Sequence, residues 1–341
     1  MAEKPSAAEL TDYAEQADAW FRENTVRDPG FMLPLTFMEV STDQQFDFLR
    51  DWQRKVYEAG YLGASWPKEY GGGGLHSEYQ RVATRAMKKY DAPIMLNAIG
   101  NGWAGPLILD LGSEEQKQKY IKPMLSAEDI WCQGFSEPEN GSDLGNAQLK
   151  AVKDGDDYVL NGSKIWTSLG DRAKYMILLA RTDFDAPNKY AGLSFFLNPM
   201  KIDGITTSRI CLFGGEGNGW SMAMKTLEYE RGAKVKPVGG FFVKELDVME
   251  IVELAKNSVR NGKPLLDDPV MRDKMTQYMI DIQALNLNNT RRRMPQLMQD
   301  NGTAADEQAG PHRTDPRAYR IFARLSGHQG RLLCRRRKCS R

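Results

Sequence analysis

The hydrophobic period of the chain changes at Trp131, and that change limits what it can fold into. Before it, apolar residues recur at three- and four-residue intervals. After it they come in short runs bounded by Gly, Asp, Asn and Pro, a strand signature. Tyr158–Leu160, Tyr175–Ala180 and Leu193–Leu197 read as strands. Asp154-Gly155-Asp156-Asp157 and Asn161-Gly162 read as hairpin-type turns. From Trp220 the spacing is helical again. The order predicts an α+β chain: an N-terminal helical domain over residues 1–130, a small central β domain over 131–215, a partial C-terminal helical bundle over 216–300, and a basic tail over 301–341.

The first region supplies its own helix signals. Thr42–Ala59 puts Phe46, Leu49, Gln53 and Val56 on one face, with Phe48, Trp52 and Tyr57 widening it. Ala8–Arg22 and His76–Tyr90 are further amphipathic helices, and Met95–Leu111 reads as a buried one. Ser113 followed by Gln116 is a capping box. Gly71–Gly74 reads as a flexible turn. In the last helical region, Phe241–Asn261 and Arg272–Met298 carry Leu246, Met249, Val252 and Leu254, then Met275, Met279, Ile282 and Leu285, as core candidates.

Composition removes several classes of function. The formal net charge of +1 gives no global reason to bind nucleic acid. No apolar run approaches the ~20 residues that span a bilayer. The N-terminus has no signal core, and the four cysteines have no paired spacing, so a cytoplasmic protein with free thiols is expected. Three histidines supply neither a metal site nor a triad well, and no metal is expected.

Two loop clusters hold the densest chemistry: Ser136-Glu137-Pro138 through Gly141-Ser142-Asp143, and Asn161-Gly162-Ser163-Lys164-Ile165-Trp166-Thr167-Ser168. With Trp66-Pro67-Lys68-Glu69-Tyr70-Gly71-Gly72 and Gly112-Ser113-Glu114-Glu115-Gln116-Lys117, they make four motifs in order. Taken together these motifs resemble the acyl-CoA dehydrogenase family over roughly residues 10 to 300. The resemblance implies FAD as cofactor and α,β-dehydrogenation of an acyl-CoA thioester. An electron-transferring flavoprotein would be the acceptor and a homo-oligomer the working form. It implies that Trp166 packs on the flavin ring, that Ser168 and Ser136 offer hydroxyls to its rim beside the Phe135 backbone, and that Ser142 meets the acyl-CoA pantetheine or the flavin diphosphate. A flat ring with one polar edge needs an aromatic wall and small donors along that edge. In the branches that carry the catalytic base on the helix after the β domain, Leu227-Glu228-Tyr229-Glu230-Arg231 matches that helix and Glu230 falls on the base. The competing reading of Glu230 is a surface carboxylate paired with a cation.

Three departures from the family pattern are visible. Cys211–Glu216 leads almost directly to Gly219-Trp220, so about one and a half to two strands of roughly five to six residues are missing. Arg260-Asn261-Gly262-Lys263-Pro264 stands where the family has an Arg-x-x-Phe-Gly element. The closing helices give way to an arginine-rich tail, either disordered or foreign to the family's reading frame. Two alternatives therefore stand beside the dehydrogenase reading: an oxygen-using relative (an acyl-CoA oxidase or flavin monooxygenase), and a catalytically incomplete member of the fold.

Overall fold

The computed structural model describes residues 3–155, 157–200, 211–230, 248–260 and 263–291. They fall in two compact units, divided between Phe242 and Val243.

The first unit begins with three capped helices. α1 (Ala7–Asn24) opens on a Ser6–Glu9 capping box, and α2 (Asp43–Glu58) on the Thr42 hydroxyl, which accepts from the Gln45 amide. Each such cap is worth about 1 kcal/mol. α3 (Ser77–Lys89) follows, capped by His76. Phe46, Leu49, Gln53 and Val56 are all buried on α2, as their spacing predicts. The glycine turn differs from the sequence expectation: it is packed rather than loose. Gly73 donates to the Gly63 carbonyl and Gly74 to the Trp66 carbonyl, and a Cβ on Gly73 would sit 2.6 Å from the Ala64 carbonyl oxygen. These glycines serve close backbone approach.

The expected helix over Met95–Leu111 starts late. Gly100–Ala104 forms one π-helical turn that runs into α4 (Gly105–Leu111). Gly100 and Gly102 weaken the α-helical alternative there. α5 (Glu114–Leu125) starts on the predicted Ser113–Gln116 capping box.

A six-stranded sheet follows: β1 (Trp131–Gly134), β2 (Lys150–Asp154), β3 (Asp157–Asn161), β4 (Tyr175–Arg181), β5 (Leu193–Pro199) and β6 (Cys211–Phe213). The order is β3-β2-β4-β5-β6, with β1 parallel to β4. Three of these strands were legible as apolar runs. Gly155 turns the β2–β3 hairpin as predicted, whereas Gly162 leads out of β3 into a loop, and β3 does not pair with β4.

Helices and sheet share one continuous core, from Leu49 and Val56 through Trp131 to Phe195 and Phe213. A buried amide network ties them together. Asn97 donates to the Met124 and Asp129 carbonyls and accepts from the Trp131 amide at 3.0 Å, and Gln53 donates to Leu125. Tyr120, Trp131 and Tyr175 pack ring to ring at 5.1–5.3 Å.

α6 (Gly219–Glu230) is the last described element of this unit. Its first residue lies directly on β5: a Cβ on Gly219 would come within 2.6 Å of Ser194 backbone atoms.

In the second unit, α7 (Val248–Lys256), a short ladder of Val259–Arg260 with Lys263–Pro264, and α8 (Pro269–Arg291) enclose Ala255, Leu265, Met271, Met275 and Tyr278. Met275 is core as expected. Met249, on α7, is exposed instead, and so is Met279, because the buried stripe of α8 runs 271–275–278 and passes Met279 by. Leu246, the helical extension to Met298 and the tail from Asn301 lie outside the described residues. No helix among the described residues is long and apolar enough to cross a membrane.

Candidate functional site

β1 and β2 occupy successive places along the same edge of β4. Trp131 pairs with Tyr175 at one end, and Lys150 pairs with Arg181 at the other. The chain between them, 135–149, therefore leaves the sheet and returns to it on one edge. Arg181, buried at the end of β4, holds the returning arm: its guanidinium donates to the Ala147 and Gly145 carbonyls at 3.0 and 3.1 Å. Glu137 and Asn140 close a tight turn by exchanging backbone hydrogen bonds.

The second cluster lands on the first. Ile165 donates its amide to the Ser136 carbonyl at 2.9 Å. Lys164 Nζ donates to the Phe135 carbonyl at 3.0 Å and to Glu137 Oε1 at 2.8 Å. Glu137 also accepts from the Gln148 and Leu149 amides at 2.7 and 2.9 Å. Only 6% of the Glu137 side chain and 5% of that of Lys164 is exposed. Burial pushes the Glu137 carboxyl up, but Lys164 and the two amides outweigh it and hold it below the ordinary carboxylate value. Burial also lowers the Lys164 ammonium, against the pull of Glu137. Neither residue was singled out from sequence. They lie 27 positions apart, and each alone reads as a solvated charge.

Around this pair the predicted residues divide. Phe135 is buried, edge-on to Phe195 at 5.9 Å, so only its backbone is available to a ligand. Ser136 is half-buried between the two bonded residues, and Ser168 is half-buried with its amide on the Trp166 carbonyl at 3.0 Å. Trp166 stands 85% exposed. Its backbone is left-handed, with φ of 58°. A bulky residue in that region costs roughly 1–2 kcal/mol, and exposing an indole forgoes its burial as well. Ser142 is exposed on the 135–149 loop, beside Asp143, which pairs with Lys189 at 2.6 Å.

Glu230 lies on α6 and is half-buried. The helix is fixed ahead of its first turn and again near Tyr229. Ahead of it, Gly217 donates to Ser194 Oγ at 3.0 Å, and Tyr158 hydrogen-bonds Glu216. Further along, Tyr229 hydrogen-bonds Asp110 on α4, and Lys225 lies 3.7 Å from the same carboxylate. Burial, then Asp110, push the Tyr229 phenol up. α6 also packs on the π-helical turn. The Asp110 anchor was not foreseen, since nothing in the spacing links α4 to α6. Arg260 forms part of the short ladder in the second unit.

Other chemistry finds little support. Cys132 is buried and its thiol is pushed up to about 12 by that burial, which leaves no reactive thiolate near neutral pH. No group of three or more His, Cys, Asp or Glu gathers to hold a metal among the described residues.

Comparison with known proteins decides the family. Residues 36–128, 132–224 and 217–310 match the N-terminal, middle and C-terminal domains of acyl-CoA dehydrogenase. Acyl-CoA dehydrogenase FadE26 of Mycobacterium tuberculosis is 30% identical over 288 residues, 77% of this chain and 68% of that protein. The chain belongs to the acyl-CoA dehydrogenase family. Acyl-CoA dehydrogenase IpdE1 of the same organism is 30% identical over 264 residues, 71% of this chain, so the chain spans 66% of that relative's length. Among solved structures, one titled Tcur3481-Tcur3483 steroid ACAD is similar with a TM-score of 0.61 at 26% identity, covering 90% of this chain and 78% of that one. The middle and C-terminal domain matches of the family overlap on residues 217–224, across the start of α6.

Proposed function

We propose that this chain binds FAD against the loop pair 135–149 and 161–168 and catalyses α,β-dehydrogenation of an acyl-CoA thioester. One observation carries the reading: Trp166 is held in a strained backbone with its indole presented to solvent, directly after the residue bonded to Ser136. Strain and exposure together cost stability without benefit to the fold, the mark of a residue kept for a ligand. A flat, largely apolar ring with a polar rim fits that wall, with the Ser136 and Ser168 hydroxyls and the Phe135 backbone at its edge and Ser142 toward the diphosphate or pantetheine.

FAD, when bound, supplies the hydride acceptor. Glu230 removes the α-proton. An α-proton beside a thioester is weakly acidic, so the base works best in a water-poor setting that raises its proton affinity. Half-burial on α6 suits that role, since loss of water disfavours a charged carboxylate. An electron-transferring flavoprotein as acceptor, and a homo-oligomer as the working form, rest on family membership alone.

A second reading has its own support. α6 begins at Gly219, six positions after the end of β6 at Phe213. A chain with so short a link could keep the fold and the platform without turning over. Purification separates the two readings. A yellow protein, bleached anaerobically by an acyl-CoA, supports the dehydrogenase; straight-chain, branched and steroid-derived thioesters belong in the panel. A yellow protein that no acyl-CoA bleaches supports the second reading, and rapid reoxidation in air after bleaching identifies an oxygen-using relative.

A further inference from the structure

We infer that the buried Glu137–Lys164 pair is the positioning device of the platform, holding the Ser136 loop and the Trp166 loop in the one relative placement a flat ligand requires. The inference rests on the flavin-binding reading above.

The pair joins three stretches of chain. Lys164, after β3, reaches the Phe135 carbonyl and the Glu137 carboxylate; Glu137 accepts from the Gln148 and Leu149 amides just before β2. The Ile165–Ser136 bond lies beside it. Ser136 therefore sits between two residues that Lys164 grips, and Trp166 follows Lys164 by two positions. Both side chains are almost fully buried, so neither faces a ligand on the open side of the loops. They are positioning residues.

Burial of two charges rarely stabilises a fold more than a well-packed apolar pair of similar volume would. What the charges add is direction. Two neighbouring amides and an ammonium require an acceptor with two oxygens, and a carboxylate on the first loop supplies it. An apolar pair would fill the space and leave the loops free to slide, carrying Trp166 away from Ser136.

The test compares the full chain with Glu137→Gln and with the double variant Glu137→Gln/Lys164→Met. The readouts are the thermal midpoint without FAD, the FAD dissociation constant, and hydrogen–deuterium exchange of peptides covering 134–149 and 161–168. The expected double variant keeps a midpoint near that of the parent, exchanges faster in those two peptides alone, and binds FAD at least about tenfold more weakly. Its residual complex should show a flavin absorption band moved toward that of free FAD. Unchanged exchange and unchanged FAD affinity would overturn the inference. So would a midpoint that falls as far as that of Glu137→Gln, which would make the pair a stabiliser only. If the double variant fails to fold, Glu137→Gln, which keeps one oxygen for the amides, is judged by the same exchange peptides. A parent chain that takes up no FAD sinks the flavin reading instead, and exchange alone then decides the role of the pair.

Discussion

The amide of Ile165 lies 2.9 Å from the carbonyl of Ser136, so a backbone hydrogen bond, beside the Lys164 contacts, joins two loops that are far apart in sequence. The residues proposed as wall and rim, Trp166 and Ser136, sit on either side of it. Ligand binding in this account depends on that junction, and stability depends on the core beneath it. Substitutions should separate the two.

Trp166→Gly should separate them most clearly. Glycine adopts a φ of 58° without steric cost, so the apo protein should gain about 1 kcal/mol, measured by denaturant unfolding. Removal of the indole should weaken FAD binding by roughly tenfold or more, in line with about 1–3 kcal/mol for a stacked aromatic. Titration of the apo protein with FAD checks the second half.

Glu230→Gln tests the base. The variant should keep FAD and bind acyl-CoA, while turnover falls by about 10²–10⁴-fold, the usual contribution of a positioned general base. Anaerobic single-turnover bleaching isolates that step from product release. Full turnover would remove Glu230 from the role.

Gly219→Ala should destabilise the first unit by roughly 1–3 kcal/mol, because the new methyl meets the β5 backbone rather than a movable side chain. The same substitution at Gly155, where a Cβ meets nothing within 4 Å, should cost less and only through its positive φ. Thermal unfolding of the two variants side by side checks the contrast.

The pH profile should carry the signature of Glu137. Its carboxyl is held below 4.5 in the folded chain, so the unfolded chain binds the proton first as pH falls. The stability contributed by Glu137 is therefore present above pH 4.5 and is lost as pH falls through its lowered folded value. Glu137→Gln should be less stable at neutral pH and should lack that part of the acid limb. Unfolding free energies measured between about pH 3 and 7 test it.

What the sequence made legible was local. Thr42, Ser113 and the α2 stripe announce their helices because caps and spacing act within a few residues. Tyr175–Ala180 and Leu193–Leu197 announce strands because both are buried on two faces and run apolar throughout. β2 was harder to see, since only Ala151 of its residues is buried. β1 was hidden by Gln133 and Gly134, whose places are set by pairing with β4. At the site, Trp166 and the serines stood out by type and density. The Glu137–Lys164 pair and the Asp110–Tyr229 contact did not, because each joins residues brought together only by the fold. A buried charge looks like any surface charge until its partner is placed.

The most direct measurement is an anaerobic titration of the purified full chain, reconstituted with FAD, against a panel of acyl-CoA thioesters, followed through the flavin absorption. The account predicts stoichiometric FAD uptake and bleaching by at least one thioester, with both lost or weakened in Trp166→Gly and only the bleaching lost in Glu230→Gln. A chain that takes up no FAD, or that binds it equally well without Trp166, contradicts the account.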